Sequence, residues 1–309
     1  MADQLPGEAM TIFQKALFGD QVAEYLDHGH DRVSGYVLKA ADAAALATPE
    51  DLYDAHGLGF DGSPWKRDAQ HLDVIRFGGV PSDYVHDAVA PEFEDHPPFN
   101  GSGFAHSGDT VLPLYFLDEV RLPPGTEMWR VASGRPERLL AVYMDVATGW
   151  LAVEGDVPAQ GPQRVPSMFN GWNAVWEGLR FLADRKPGQD EVILASATQP
   201  EGIPGFGATP RGLWSRIVQA ESVSDIYHLT GTCTWRDQPF HVVDASTDDH
   251  GVMLRLFYTG HKARDAERLG LNKSDAGVYW TVVNQQDVED LRFLQARVPG
   301  FPDGSGPAR

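Results

Sequence analysis

Gly212-Leu213-Trp214-Ser215-Arg216-Ile217-Val218 and Gly277-Val278-Tyr279-Trp280-Thr281-Val282-Val283 are one pattern met twice: a glycine, an aromatic residue and a strand-like run closing on valine. The likeness continues from Val223-Ser224-Asp225-Ile226 to Val288-Glu289-Asp290-Leu291 at a constant offset of 65 residues. Five of the eighteen aligned positions are identical (Gly212/Gly277, Val218/Val283, Val223/Val288, Asp225/Asp290 and Leu229/Leu294). Earlier in each copy, Trp176-Glu177-Gly178-Leu179-Arg180-Phe181 matches Trp235-Arg236-Asp237-Gln238-Pro239-Phe240 at an offset of 59, so the second copy carries six extra residues, placed most simply around residues 262–274. A period near 60 residues, with β-type alternation inside it, identifies a duplicated β unit.

Each copy reads as a strand ending at Trp, a two-residue turn, a strand from Phe, a third strand, a fourth after the glycine and a short acidic turn. Four or five short strands cannot cover both faces of an open sheet, and curling the sheet on itself is the simplest remedy. The spacing therefore predicts two tandem small SH3-like β-barrel repeats, over residues 170–229 and 230–298. A strand through Tyr227 and Leu229 runs from one directly into the next, which predicts abutting barrels with a groove between them.

Working outward, residues 154–169 are rich in Gly, Pro and Gln and read as a linker, and residues 299–309 read as a disordered tail. Apolar residues Met10, Phe13, Leu17, Val22, Tyr25 and Leu26 recur at three- and four-residue spacing, which predicts an N-terminal helix within residues 1–31, stopped near Gly29. Residues 32–153 alternate strand patterns with a short helix led by Thr48-Pro49-Glu50-Asp51, a capping threonine ahead of proline and two acids. That is an α+β N-terminal domain, with a long loop over residues 81–107.

With 44 acidic against 25 basic residues the formal charge is −19, a potential that repels phosphate backbones and anionic lipid. Nucleic acid and membrane surfaces are thereby disfavoured as partners; the excess acid either confers solubility alone or meets a basic partner, and charge does not choose between the two. Cys233 is the single cysteine, so neither a disulfide framework nor a multi-thiolate metal site can be built within the chain. No secretory leader or spanning apolar run is legible, and the expected compartment is cytoplasmic.

Candidate chemistry is sparse. His28 and His30, in His-Gly-His-Asp, are half of a binuclear metal signature whose remainder is missing, because Arg32 and Val33 follow. Asp244, Asp248, Asp249 and His250 lack the glycine and terminal glutamate of a calcium loop and read as a solvated hairpin tip. No cofactor and no metal is expected. Arg76, Ser107 and Glu137, each beside a strand, resemble in their order the site of NAD-binding ADP-ribosyltransferases. That resemblance implies an arginine on phosphate and a glutamate on a ribose hydroxyl. It lacks the Tyr-Arg-Gly opening, the Ser-Thr-Ser run and paired acids before the last strand.

Cys233-Thr234-Trp235-Arg236-Asp237-Gln238-Pro239-Phe240, Arg255-Leu256-Phe257-Tyr258-Thr259-Gly260 and Leu269-Gly270 ahead of Gly277-Val278-Tyr279 resemble a group of uncharacterised actinobacterial proteins associated with type VII secretion effectors, some of them immunity-type partners of NAD-degrading toxins. The resemblance implies a non-enzymatic protein-binding module, an immunity or accessory factor for a secreted toxin or effector, and transfers no functional residue. An aromatic seam between the repeats suits such a role, since aromatic side chains dominate binding hot spots. Trp172 and Tyr258 are its expected aromatic contacts, and Asp248 and Asp249 its acidic rim. The enzymatic alternative is an NAD- or nucleotide-acting N-terminal domain using Arg76, Ser107 and Glu137.

Overall fold

The computed structural model describes residues 10–153, 163–185 and 190–297. The N-terminal half is built from β1 (Ile12–Leu17), α1 (Gly19–His28), β2 (Arg32–Lys39), α2 (Pro49–Ala55), β3 (His71–Gly78), β4 (Val85–Asp87), β5 (Val89–Glu94), β6 (Asn100–Ser102), β7 (Phe104–Ser107), β8 (Thr110–Pro113), β9 (Tyr115–Arg121), β10 (Thr126–Ala132), β11 (Arg138–Tyr143) and β12 (Trp150–Ala152). Eight of these strands form one antiparallel sheet in the order β12-β11-β10-β3-β1-β2-β9-β4, while β5-β6 and β7-β8 are separate two-stranded arms. This corrects the α+β expectation: strands dominate, and among the described residues this half has only two short α-helices.

Much of the correction lies in β1. Its apolar residues sit at helical spacing, yet the segment is inserted between β2 and β3, and all residues from Phe13 to Leu17 are buried. A strand covered on both faces loses its polar/apolar alternation, so periodicity cannot distinguish it from a helix. The helix begins only at Gly19 and ends with Gly29 at φ +64°, the left-handed cap that glycine adopts freely. The second helix starts as read, with Thr48 Oγ1 accepting the Asp51 amide at 3.1 Å.

The C-terminal half comprises β13 (Gly171–Trp176), β14 (Leu179–Arg185), β15 (Glu191–Ser196), β16 (Gly207–Ala208), β17 (Trp214–Gln219), β18 (Asp225–Trp235), β19 (Gln238–Asp248), β20 (Gly251–Tyr258), α3 (Ala263–Arg268), β21 (Asn272–Asp275), β22 (Val278–Asn284) and β23 (Glu289–Arg297). The duplication is real in three dimensions. Trp176 faces Leu179 across the first hairpin as Trp235 faces Gln238 across the other. Both two-residue turns, Glu177-Gly178 and Arg236-Asp237, have positive φ at both positions, the twist that tight hairpins favour. Gly171 pairs with Leu229, and its counterpart Thr230 with Leu294. The equivalent pairs Ala183–Leu194 and Val242–Leu256, then Leu194–Arg216 and Leu256–Thr281, move the offset from 59 through 62 to 65. Half of the six extra residues thus enter between β19 and β20, where a bulge falls at Val243, and not all of them within residues 262–274.

The barrels, however, do not exist. Within each unit the sheet order is fourth-third-second-first-fifth, and the fourth strand never meets the fifth, so neither unit closes. The reason is the long β18: its first part is the fifth strand of one unit and its second part the first strand of the next, which merges both into a single eleven-stranded sheet. With no barrels there is no groove between them.

Nor is the N-terminal half a separate module. Val243, Phe257 and Val278 of the second unit belong to the same buried cluster as Tyr36, Leu38, Phe99 and Phe116. Ile193, Ala195 and Leu213 of the first unit pack on Val146 and Ala147. The expected linker is described only from Gln163 onward, and there it lies against α1: the Arg164 amide donates to His28 O at 2.9 Å, and Gln163 Nε2 donates to Asp27 O at 2.8 Å. The expected tail, residues 299–309, lies outside the described residues.

Candidate functional site

Titratable side chains collect along the seam between the two sheets. β4 pairs with β9 so that His86 stands opposite Phe116. Asp118, two residues further along β9, therefore shares the face of His86, because side chains on a strand repeat every second residue. From the other half, His261 follows β20 in a left-handed backbone conformation (φ +54°) that histidine tolerates better than most residues. Nε2 of His86 lies 3.1 Å from Asp118 Oδ2 and Nε2 of His261 lies 2.7 Å from Oδ1. Phe93 stacks on His261 at 4.5 Å, and Phe116 meets it edge-on at 5.1 Å.

Burial pushes the Asp118 carboxyl up, but the hydrogen bonds from His261 and His86 outweigh it and hold the group down at about 2. The same bond to Asp118 raises His86. His241 of β19 is lowered by burial while feeling the charge of Asp118, and its Nδ1 is buried without a hydrogen-bond partner. Tyr84 lies between this histidine and His228, with ring centroids 5.4 Å from each, and its hydroxyl meets Thr230 Oγ1 at 2.8 Å.

Around this cluster runs a buried polar network that ties the halves together. Arg121 donates to the carbonyls of Trp172 and Ala183 at 2.6 and 2.8 Å and lies 3.6 Å from Asp184. Arg211 reaches back to Asp31 at 2.9 Å, and Arg255 to Glu119 at 2.7 Å. Gly171 is glycine for a steric reason: a Cβ there would sit 2.6 Å from the Arg121 guanidinium carbon. Asp184 is pushed up to about 6 by burial, which Arg121 only partly offsets, whereas at Asp31 burial is outweighed by the combined charges of Arg211, Arg32 and Arg121, which hold it low.

A cleft of about 710 Å³ opens elsewhere on the seam, between Phe18, Phe60, Trp65 and Phe99 on one side and the Lys273–Ala276 turn on the other. Two of its charges are already committed. Lys273 pairs with Asp95 at 3.0 Å, and Asp275 with Lys15 at 2.6 Å.

The residues singled out from sequence are scattered. Arg76 and Glu137 do meet, but as a bidentate pair with each other at 2.6 and 2.8 Å, and Gln14 takes the remaining Nε of the arginine. A guanidinium so occupied is not presented to a phosphate. Ser107 is buried on the β7-β8 arm, paired with Thr110 and packed near α2, away from both of those residues. His30 is half-buried, pushed down to about 4 by desolvation, and flanked by Tyr25, as befits a helix terminus and not a ligand pair with His28. Cys233 is buried and its thiol pushed up to about 11 by burial, which makes it a poor nucleophile.

Of the expected partner contacts, Asp248 and Asp249 are exposed at the β19-β20 tip, and Trp172 is half-buried with its ring edge-on to His228 at 5.3 Å. Tyr258 must be withdrawn from that set: it is wholly buried, with its hydroxyl 3.2 Å from Gln238 Oε1, because β20 turns Leu254, Leu256 and Tyr258 inward. Sequence reading missed His86, Asp118 and His261, which have no local spacing to announce them.

The surface holds one further feature. β23 bonds β18 along one edge, and among the described residues nothing pairs with its other edge. Adjacent residues Phe293 and Leu294, 52% and 58% exposed, point to its two opposite faces. No family model, no curated protein and no solved structure matches this chain. Among the described residues no helix is long and apolar enough to cross a membrane.

Proposed function

We propose that this chain is a protein-binding module that takes an extended segment of a cationic partner along the free edge of β23. The supporting observation is the pair Phe293 and Leu294 on opposite faces of a nine-residue edge strand, Leu294 58% exposed and Phe293 52% exposed although its ring stacks on Phe169 at 5.6 Å. Such an edge offers a ladder of backbone donors and acceptors, with side-chain contacts on both faces, and native proteins ordinarily blunt it. The charge of −19 favours a basic partner by steering its approach, and disfavours nucleic acid and anionic membrane. The resemblance of the repeats to companions of type VII effectors gives the partner a class, a secreted toxin or effector, and the chain a role as immunity or accessory factor in the cytoplasm. The NAD-acting alternative lacks comparable support, since its arginine and glutamate neutralise one another.

The test is affinity capture from native lysate with the wild type and with Phe293→Ser and Leu294→Ser, followed by salt titration of whatever is retained. The reading expects a stoichiometric basic protein lost in both variants and weakened by salt. Equal recovery by all three proteins, no partner at all, or a concentration-dependent self-dimer abolished by the same changes would each overturn it.

A further inference from the structure

We propose that Nε2 of His86, a carboxylate oxygen of Asp118 and Nε2 of His261 bind one divalent first-row transition-metal ion of the zinc class, clamping the C-terminal sheet onto the N-terminal one. The ligand atoms of these three residues all lie within 4.8 Å of one another. An ion with bonds of about 2.0–2.1 Å to nitrogen and oxygen spaces its ligand atoms roughly 3.0–3.4 Å apart. The contacts run from His86 Nε2 to Asp118 Oδ2 at 3.1 Å and from His261 Nε2 to Oδ1 at 2.7 Å, so an ion between the two rings would take the carboxylate through both oxygens, or through one after a small rotation that turns it toward both rings.

Donor chemistry selects the class of ion. Two imidazole nitrogens and one carboxylate suit zinc, cobalt, nickel or ferrous iron, whereas calcium and magnesium prefer oxygen shells. Phe93 and Phe116 wall the site with apolar rings that strengthen charge interactions inside it. Three protein ligands leave a position for water, and the His86 side chain, 31% exposed, gives solvent a way in.

The ligands come from β4, β9 and the segment after β20, so the ion would join elements 143 residues apart in sequence at a place where both sheets already touch. The other histidine–carboxylate group, Asp95, His96 and Glu267, is a weaker candidate: its His96 side chain is 67% exposed and its aspartate is taken by Lys273.

Cobalt(II) titration of the metal-stripped full chain, read by visible absorption and by melting temperature, tests the assignment against His86→Gln, His261→Gln and His96→Gln. One equivalent with four- or five-coordinate bands is expected in the wild type and in His96→Gln. At least a tenfold loss of affinity and no metal-dependent melting shift are expected in the two ligand variants. The partly exposed His86 serves as the decisive variant should His261→Gln fail to fold. Absence of bands in the wild type, titration unchanged by His86→Gln, or loss confined to His96→Gln would overturn the site, leaving Asp118 as a buried carboxylate held by two histidines alone.

Discussion

The two β units share their registers and their tight turns, yet their fifth strands live in different environments. In the first unit that strand is the opening part of β18, where residues Asp225–Leu229 are buried between β13 and β23. In the second it is β23, exposed along nearly its whole length. The position that is buried His228 in one copy is exposed Phe293 in the other. Duplicated sequence thus reproduces hydrogen-bond geometry faithfully, while burial is set by what each copy finds beside it, and among the described residues the second copy is the one whose last strand keeps an unpaired edge.

The largest expected effect concerns the hold of the N-terminal half on the first unit. Arg121→Ala removes the donor shared by the Trp172 and Ala183 carbonyls and leaves Asp184 buried beside an uncompensated site. Breaking one side of such a pair costs about 3–5 kcal/mol. Denaturant unfolding should register that loss, and Asp184→Asn on top of Arg121→Ala should recover part of it. Hydrogen exchange should show β13 and β14 loosening before β19 and β20; uniform loosening would mean that the two units are not held differently.

The tryptophans give the next contrast. Trp176 is 6% exposed, in contact with Phe181, Phe206 and the Arg216 guanidinium, while Trp235 keeps only the equivalent aromatic, Phe240, and Arg236 over its ring and stays partly exposed. Trp176→Ala should cost about 3–5 kcal/mol and Trp235→Ala roughly half as much, measured by urea midpoints at constant slope. Equal losses would show that the two environments are energetically equivalent after all.

The smallest effect is the pH dependence carried by His228. Burial pushes this imidazole down to about 3, well below the ordinary value near 6.5 in an unfolded chain. Between those values the unfolded state binds the extra proton, so the contribution of His228 to stability is intact above pH 6.5 and is lost as the pH falls toward 3. His228→Phe, which installs the residue of the second copy, should flatten the stability profile by about 2 kcal/mol between pH 7 and pH 5. An unchanged acid limb would assign the titration to half-buried His30 and buried His56, which desolvation also lowers, to about 4 and about 3.

Legibility followed the range of the interactions involved. The strands around Val74, Met128 and Ala141 and the helix led by Thr48 could be read because alternation, turn residues and caps act over a few positions. β1 could not, since its covered faces erase alternation, and the closure of the units could not, since it depends on whether the fourth and fifth strands meet. The candidate cluster was invisible for the same reason: His86 and Asp118 lie 32 residues apart, and His261 a further 143 beyond Asp118.

Sequence alone therefore determined that a β unit is present twice, where its hairpins turn and which tryptophans end its first strands, because those are matters of local register. Tertiary structure alone decided that the units merge through β18 into one open sheet, that Tyr258 is core while Phe293 is surface, and that two histidines and an aspartate converge on the seam. Which faces are covered and which distant side chains meet depends on how whole sheets pack, and no run of neighbouring residues encodes that.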